Sequence, residues 1–145
     1  LACTSPGMAP GFWPGRIALV REQGMAAAAQ GWDGRHFSDG FMAAHPELTQ
    51  TQLHSVQTID PEGYCGAAAA IGGMDVERRL GTITVPTLVI AGEYDTATPY
   101  QGHGDRIVAG IPGAELRFMP TGHLACVERP EEFARLVADF AARCG

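Results

Sequence analysis

The hydrophobic pattern changes character near residue 84. Before it, apolar positions recur in short helical bursts broken by Gly and Pro; after it, consecutive apolar runs alternate with helical ones. Residues 5–15 carry three prolines and three glycines, so they are expected to form a loop anchored by Phe12 and Trp13. Residues 16–23 place Ile17, Leu19 and Val20 near helical spacing, and Gly24 interrupts them. Residues 25–30 are Ala-rich and favour helix, and Gly31-Trp32-Asp33-Gly34 is expected to break the run. A short piece at 41–44 precedes His45-Pro46. Residues 46–58 suit a helix with Pro46 in its first turn and Leu48, Leu53 and Val56 near one face. Asp60 is a candidate N-cap with Pro61 at the first helical position, and this helix runs to Ile71. One or two further turns are expected over 75–80.

From Thr84 the chain reads differently. Residues 86–92 are apolar at successive positions, which fits a parallel strand covered on both faces, with Pro86 at its start. Residues 100–110 predict a helix stopped by Gly110 and Pro112. Residues 114–119 predict a second strand. Residues 130–143 are the clearest helix: Pro130 near the start, Glu131 and Glu132 in the first turn, Arg143 in the last. Phe133, Leu136, Val137 and Phe140 form its apolar stripe.

The pattern predicts three regions: a strand tail and loop over 1–15, a helical region over 16–82, and strand–helix–strand–helix over 83–145. The last is an α/β arrangement with a parallel sheet. Two strands and a stub at residues 1–3 leave ladder groups and apolar faces uncovered, so the remaining strands are expected from polypeptide outside this sequence.

Composition adds exclusions. The 145 residues suffice for one domain with a core. Ten arginines and no lysine are scattered among 16 acids, for a net charge of −6, so no basic face for nucleic acid emerges. No apolar run approaches the ~18 residues of a membrane span. The first residue is Leu1, and the opening Leu-Ala-Cys-Thr-Ser-Pro lacks the basic and apolar regions of a signal peptide. It reads as the end of a buried strand, so the chain is expected to begin mid-fold. Cys3, Cys65, Cys126 and Cys144 are widely spaced with no C-x-x-C, which argues against a structural zinc site or a disulfide framework. They are expected as free, partly buried thiols of a cytoplasmic protein.

The chemistry concentrates in two places. Val85-Pro-Thr-Leu-Val-Ile-Ala-Gly-Glu-Tyr-Asp95 is an apolar strand ending on an acid, and Gly122-His123 is a turn presenting a histidine. This is how an Asp–His pair reaches a catalytic triad, yet no G-x-S-x-G elbow occurs in the chain. Gly63-Tyr64-Cys65-Gly66-Ala67 imitates an elbow, but no strand precedes it and it sits in a small-residue helix. His123-x-x-Cys126 lacks a second ligand pair for a metal.

These residues carry a family resemblance. Val85 to Asp95-x-x-x-Pro99, with Gly122-His123-x-x-x-x-Glu128-x-Pro130-Glu131-x-Phe133, resembles the C-terminal portion of the α/β-hydrolase superfamily. The first half resembles that family's helical cap. Trp32, Phe37, His45-Pro46-Glu47, Pro61-Glu62-Gly63-Tyr64 and the Asp75 turn look most like the 3-oxoadipate enol-lactone hydrolases. The resemblance implies the C-terminal half of the α/β-hydrolase fold, with Asp95 as triad acid and His123 as base. It puts the nucleophile and oxyanion hole upstream, on an N-terminal half of the same fold supplied as a separate, cleaved or missing segment. Glu93 competes with Asp95 but lies nearer the strand, and Asp95 ranks first. Glu128 is expected to be structural, beside a helix N-terminus. Trp32, Arg35, His36 and Phe37 are candidates for the pocket mouth, with Arg35 able to pair with a substrate carboxylate.

The expected function is hydrolysis of a small ester or lactone through an acyl-enzyme, with no metal or organic cofactor. Other chemistries of the same fold remain open: a perhydrolase of the haloperoxidase type, a carbon–carbon bond hydrolase, an epoxide hydrolase or a dehalogenase. A non-catalytic binding module or remnant is the third reading.

Overall fold

The computed structural model describes residues 11–144; the expected strand tail at residues 1–3, Cys3 and the start of the 5–15 loop lie outside them. The helical region opens with α1, Phe12–Ala28. Helix therefore begins at Phe12, where a loop was expected as far as residue 15. Pro14 sits in the first turn, where a missing N–H costs no internal hydrogen bond. Gly24 does interrupt the run: at φ 77°, ψ 178° its backbone is non-helical, and α1 is two helical runs meeting at a kink there.

Gly31 adopts the left-handed conformation, but Trp32–His36 then forms a helical turn, α2, where the sequence suggested only a break. The rings of Trp32 and His36 stack at i and i+4, 4.3 Å apart. That contact offsets a glycine penalty of roughly 1 kcal/mol at Gly34. Next come α3, Asp39–Ala44, and α4, Pro46–Gln57, the latter with Pro46 in its first turn. α5, Pro61–Gly72, starts as expected: the Asp60 carboxylate accepts the Gly63 N–H at 2.6 Å. α1 and α5 bury a common cluster of Val20, Met25, Ala28 and Cys65. A 3₁₀ segment, Glu77–Thr82, leads to the sheet.

The described sheet has two parallel strands, β1 (Leu88–Gly92) and β2 (Glu115–Met119), with Leu88 opposite Glu115 and Gly92 opposite Met119. β1 is buried at every position, which explains its unalternating sequence. Val89 joins Leu80, Ile107 and Ile111 on one face. Leu88 and Ile90 join Met119 and Ala125 on the other, under Phe133, Leu136 and Phe140. At about 1.5–3 kcal/mol per buried aliphatic side chain, these two clusters hold the strand between its helices. Val137, the fourth member of the expected stripe, is exposed.

The crossover between the strands departs from the expected single helix. Tyr100–Gly104 is a π-type turn in which Gly102 takes φ 86°, and only Asp105–Gly110 is α-helical, as α6. After β2 come α7, Ala125–Glu128, which has too few residues to show a period in sequence, and α8, Pro130–Cys144. No helix among the described residues is long and apolar enough to cross a membrane.

Candidate active site

Two loops leave the carboxyl ends of β1 and β2 and meet because glycine lets them. A Cβ on Gly92 would stand 2.2 Å from the Gly122 carbonyl oxygen. A Cβ on Gly122 would stand 2.8 Å from the Phe37 carbonyl carbon and the Ser38 nitrogen. Gly122 is thus pressed between the strand end and the helical region, and any side chain at either glycine would push the loops apart.

This approach brings Asp95 to His123. The Asp95 carboxylate is 8% exposed as a residue and nearly saturated with donors. Its Oδ1 accepts the N–H groups of Ala97 and Thr98 at 2.8 and 2.9 Å. Its Oδ2 accepts from the Thr98 hydroxyl at 3.3 Å and lies 2.9 Å from His123 Nδ1. Thr98 Oγ1 also lies 3.2 Å from that nitrogen. Burial alone would raise the Asp95 pKa. The bonds from His123, Thr98 and Ala97 outweigh it and hold the carboxyl below its ordinary value. An ionised carboxylate only accepts, so Nδ1 of His123 carries the proton and neutral His123 keeps its lone pair on Nε2. An imidazole held this way can take a proton at Nε2 and be stabilised as the cation by Asp95.

Glu93, the rival acid, is exposed, and only its backbone N–H engages the sheet, donating to the Met119 carbonyl at 2.9 Å. Glu128 is a tie between segments. Its Oε1 accepts from Gly122 N–H at 2.8 Å and Ser38 N–H at 2.9 Å, and its Oε2 accepts from the Ser38 hydroxyl at 2.6 Å. It stands at the end of α7 and two residues before α8 begins at Pro130, the expected structural place beside a helix N-terminus, and its specific bonds join the His123 turn to the helical region.

Of the candidates 32, 35, 36 and 37, three come together: the Trp32 ring meets the His36 ring at 4.3 Å and the Phe37 ring edge to face at 5.8 Å, while Arg35 is an exposed side chain. Trp32 is the platform for His36, whose Nδ1 lies 2.6 Å from the Trp32 carbonyl oxygen. The His36 ring meets the His123 ring edge to face, with centroids 5.2 Å apart and planes at 84°. Phe37 is 2% exposed and stacks on Phe41 at 5.1 Å. Arg35 is exposed, and its guanidinium has no hydrogen bond or ion pair among the described residues. Two clefts open on the described surface, one of them bordered by Tyr94 and Thr96 on either side of Asp95. One of about 860 Å³ is lined by Phe37, Ser38, Phe41, His45 and Tyr94, and one of about 600 Å³ by Trp13, Ile17 and Arg21; neither is lined by Asp95 or His123.

Sequence reasoning missed Thr98 and Ser38. Thr98 had a readable signal: an Asp followed by two more loop residues and a Thr fits an Asx-type turn that folds back on its carboxylate. Ser38 is readable as the N-cap of α3, where it accepts the Phe41 N–H at 3.3 Å, but its bond to Glu128 spans 90 residues and leaves no local trace. Cys65 is buried inside α5, as expected of a helix rather than an elbow, whereas Cys126 and Cys144 are exposed, not partly buried. Among the described residues no group of three or more His, Cys, Asp or Glu could hold a metal ion.

No protein-family model matches the chain. The chain is 34% identical over 125 residues to 3-oxoadipate enol-lactonase 2 of Acinetobacter baylyi, covering 86% of this chain and 46% of that protein. It superposes on the crystal structure of the enol-lactonase from Burkholderia xenovorans LB400 with a TM-score of 0.91 and 29% identity, over 98% of this chain and 55% of the other. It shares its fold with MGS-M2, an alpha/beta hydrolase from a deep-sea metagenome library, at a TM-score of 0.84 and 21% identity, over 97% of this chain and 54% of the other. The chain spans about half the length of the curated relatives it matches.

Proposed function

Because this chain carries the C-terminal half of the α/β-hydrolase fold, we propose that it supplies the acid and base of a hydrolase whose nucleophile and oxyanion hole reside on the upstream half of the same fold. Residues 16–82 serve as the cap and residues 83–145 as the second half of the core. The observation that carries the reading is the 2.9 Å bond between His123 Nδ1 and Asp95 Oδ2 at the carboxyl end of a parallel strand pair.

The steps follow from that geometry. Nε2 of His123 takes the proton of the upstream nucleophile as it attacks a carbonyl. His123 then returns the proton to the leaving oxygen, and a covalent acyl-enzyme forms. Water, deprotonated by the same nitrogen, releases the acid. Asp95 holds the tautomer throughout and stabilises the imidazolium.

The substrate class is a small ester or lactone, and 3-oxoadipate enol-lactone is the favoured member. Its support is the likeness to enol-lactonases over 86% of the chain, cap included. Arg35, whose guanidinium has no hydrogen bond or ion pair among the described residues, could pair with the free carboxylate such a lactone retains. Trp32 and Phe37 contribute to the cap wall beside it.

The test joins this chain to the upstream half of its fold. That protein should hydrolyse 3-oxoadipate enol-lactone far faster than a vinylogous diketone cleaved at a carbon–carbon bond. His123→Ala should reduce kcat by roughly 10³-fold or more without unfolding the protein. Wild-type turnover in that variant removes His123 from the chemistry. Preferential carbon–carbon cleavage by the unmutated protein replaces the lactone reading.

A further inference from the structure

On the reading that His123 is the base, we propose that His36 is its positioning residue: the cap sets a second imidazole against the first so that the base cannot turn away from Asp95. A histidine ring bonded through one nitrogen can still swing, because its terminal torsion is broad. Asp95 fixes Nδ1 at 2.9 Å, but nothing in that bond fixes where Nε2 aims. Thr98 Oγ1 adds a contact to the same nitrogen at 3.2 Å, and the His36 ring bears on the imidazole itself, perpendicular to the His123 ring and 5.2 Å away.

A support must itself be held, and His36 is held three ways. Its ring lies 15° from parallel with Trp32 at 4.3 Å. Its Nδ1 donates to the Trp32 carbonyl at 2.6 Å, which fixes the ring's rotation and leaves Nε2 as the acceptor in the neutral form. Its own carbonyl accepts the Leu124 N–H at 3.1 Å, so the backbone of α2 is bonded to the residue after the base.

The charge state suits the role. Burial holds the His36 pKa below its ordinary value, against the opposing bond to Trp32. The charged or titratable neighbours that face it are His123 and Arg35, which push it further down, and Asp95, which pulls it up. A neutral ring can lie against His123 when that residue becomes a cation; a charged one would oppose the cation.

The experiment uses the joined protein and para-nitrophenyl acetate. A misdirected Nε2 shows in kcat, so His36→Ala should lose about 10- to 100-fold in kcat with KM changed by less than about 3-fold. His36→Phe keeps a flat ring and should retain most of kcat. His36→Leu keeps bulk without a flat face and should fall with the alanine variant. The low-field proton signal of His123 Nδ1 should persist in the phenylalanine variant and broaden in the leucine one. If His36→Ala does not fold, the Phe and Leu pair decides alone. Equal kcat in that pair, whether both are fast or both slow, overturns the inference. Loss of activity in His123→Ala alongside equal Phe and Leu variants sinks the His36 role only; wild-type turnover in His123→Ala sinks the reading beneath it.

Discussion

Replacing Asp95 with asparagine changes one atom and should silence the base. The amide can sit in two ways. In one, its NH₂ faces the N–H groups of Ala97 and Thr98, which now donate to Oδ1 at 2.8 and 2.9 Å. That leaves two buried donors unmet, at about 1–3 kcal/mol each. In the other, the amide oxygen keeps both backbone donors and the NH₂ replaces Oδ2, 2.9 Å from His123 Nδ1. The clash there is relieved by moving the ring proton from Nδ1 to Nε2, which costs far less, so the second orientation wins. In it Nε2 already bears hydrogen and cannot accept a proton from a nucleophile. The expected loss in kcat/KM is roughly 10³- to 10⁴-fold, or about 4–5.5 kcal/mol of transition-state stabilisation. Steady-state hydrolysis of para-nitrophenyl acetate by the joined protein reads the rate, and nitrogen-15 NMR of His123 reads the tautomer. An Asp95→Asn protein within about 3-fold of wild type, or one whose ring proton stays on Nδ1, refutes the reasoning.

The remaining predictions concern the frame around the pair. Glu128→Ala should lower stability by about 2–3 kcal/mol in urea denaturation, because the N–H groups of Gly122 and Ser38 lose their shared acceptor. Glu128→Gln, which keeps one oxygen for both donors, should recover most of that. Gly92→Ala should cost about 3 kcal/mol, since the new methyl meets the carbonyl oxygens of Gly122 and Thr121 at 2.2 and 2.6 Å; a urea midpoint equal to wild type contradicts it. His36 adds a pH dependence. Its folded pKa is lowered, so below the ordinary value near 6.5 the unfolded chain takes up a proton that the folded one resists. Stability should be full above that pH and fall as the pH drops through the folded value. His36→Phe should flatten the fall in urea midpoint between about pH 7 and 5, and an unchanged slope would show that His36 does not cause it.

The core half was legible because burial on both faces leaves its mark on consecutive residues. β1 announces itself in this way and α8 by its one-sided apolar stripe, and the glycine, proline and acid positions of their loops follow. α2 was read as a break because composition weighs Gly31 and Gly34 but not the ring stack that rescues the turn between them. The crossover was read as one helix because the positive φ of Gly102 is invisible to periodicity. Asp95 and His123 were legible from strand–acid and glycine–histidine order, and the paired geometry follows from Gly92 and Gly122 allowing backbone contact. The hold of the helical region on that pair was not legible. Ser38 to Glu128 and His36 to His123 are contacts between residues far apart in sequence, made through ring faces and single oxygens that no spacing encodes.

The most direct test of the base assignment is where the acyl group goes. The joined protein, mixed with para-nitrophenyl acetate, quenched in acid within one turnover and mapped by peptide mass, should carry acetyl on one residue upstream of this chain's matching region. His123→Ala should fail to accumulate that adduct. Acetyl found on a residue of this chain, or an upstream adduct forming at the wild-type rate without His123, would contradict the proposal.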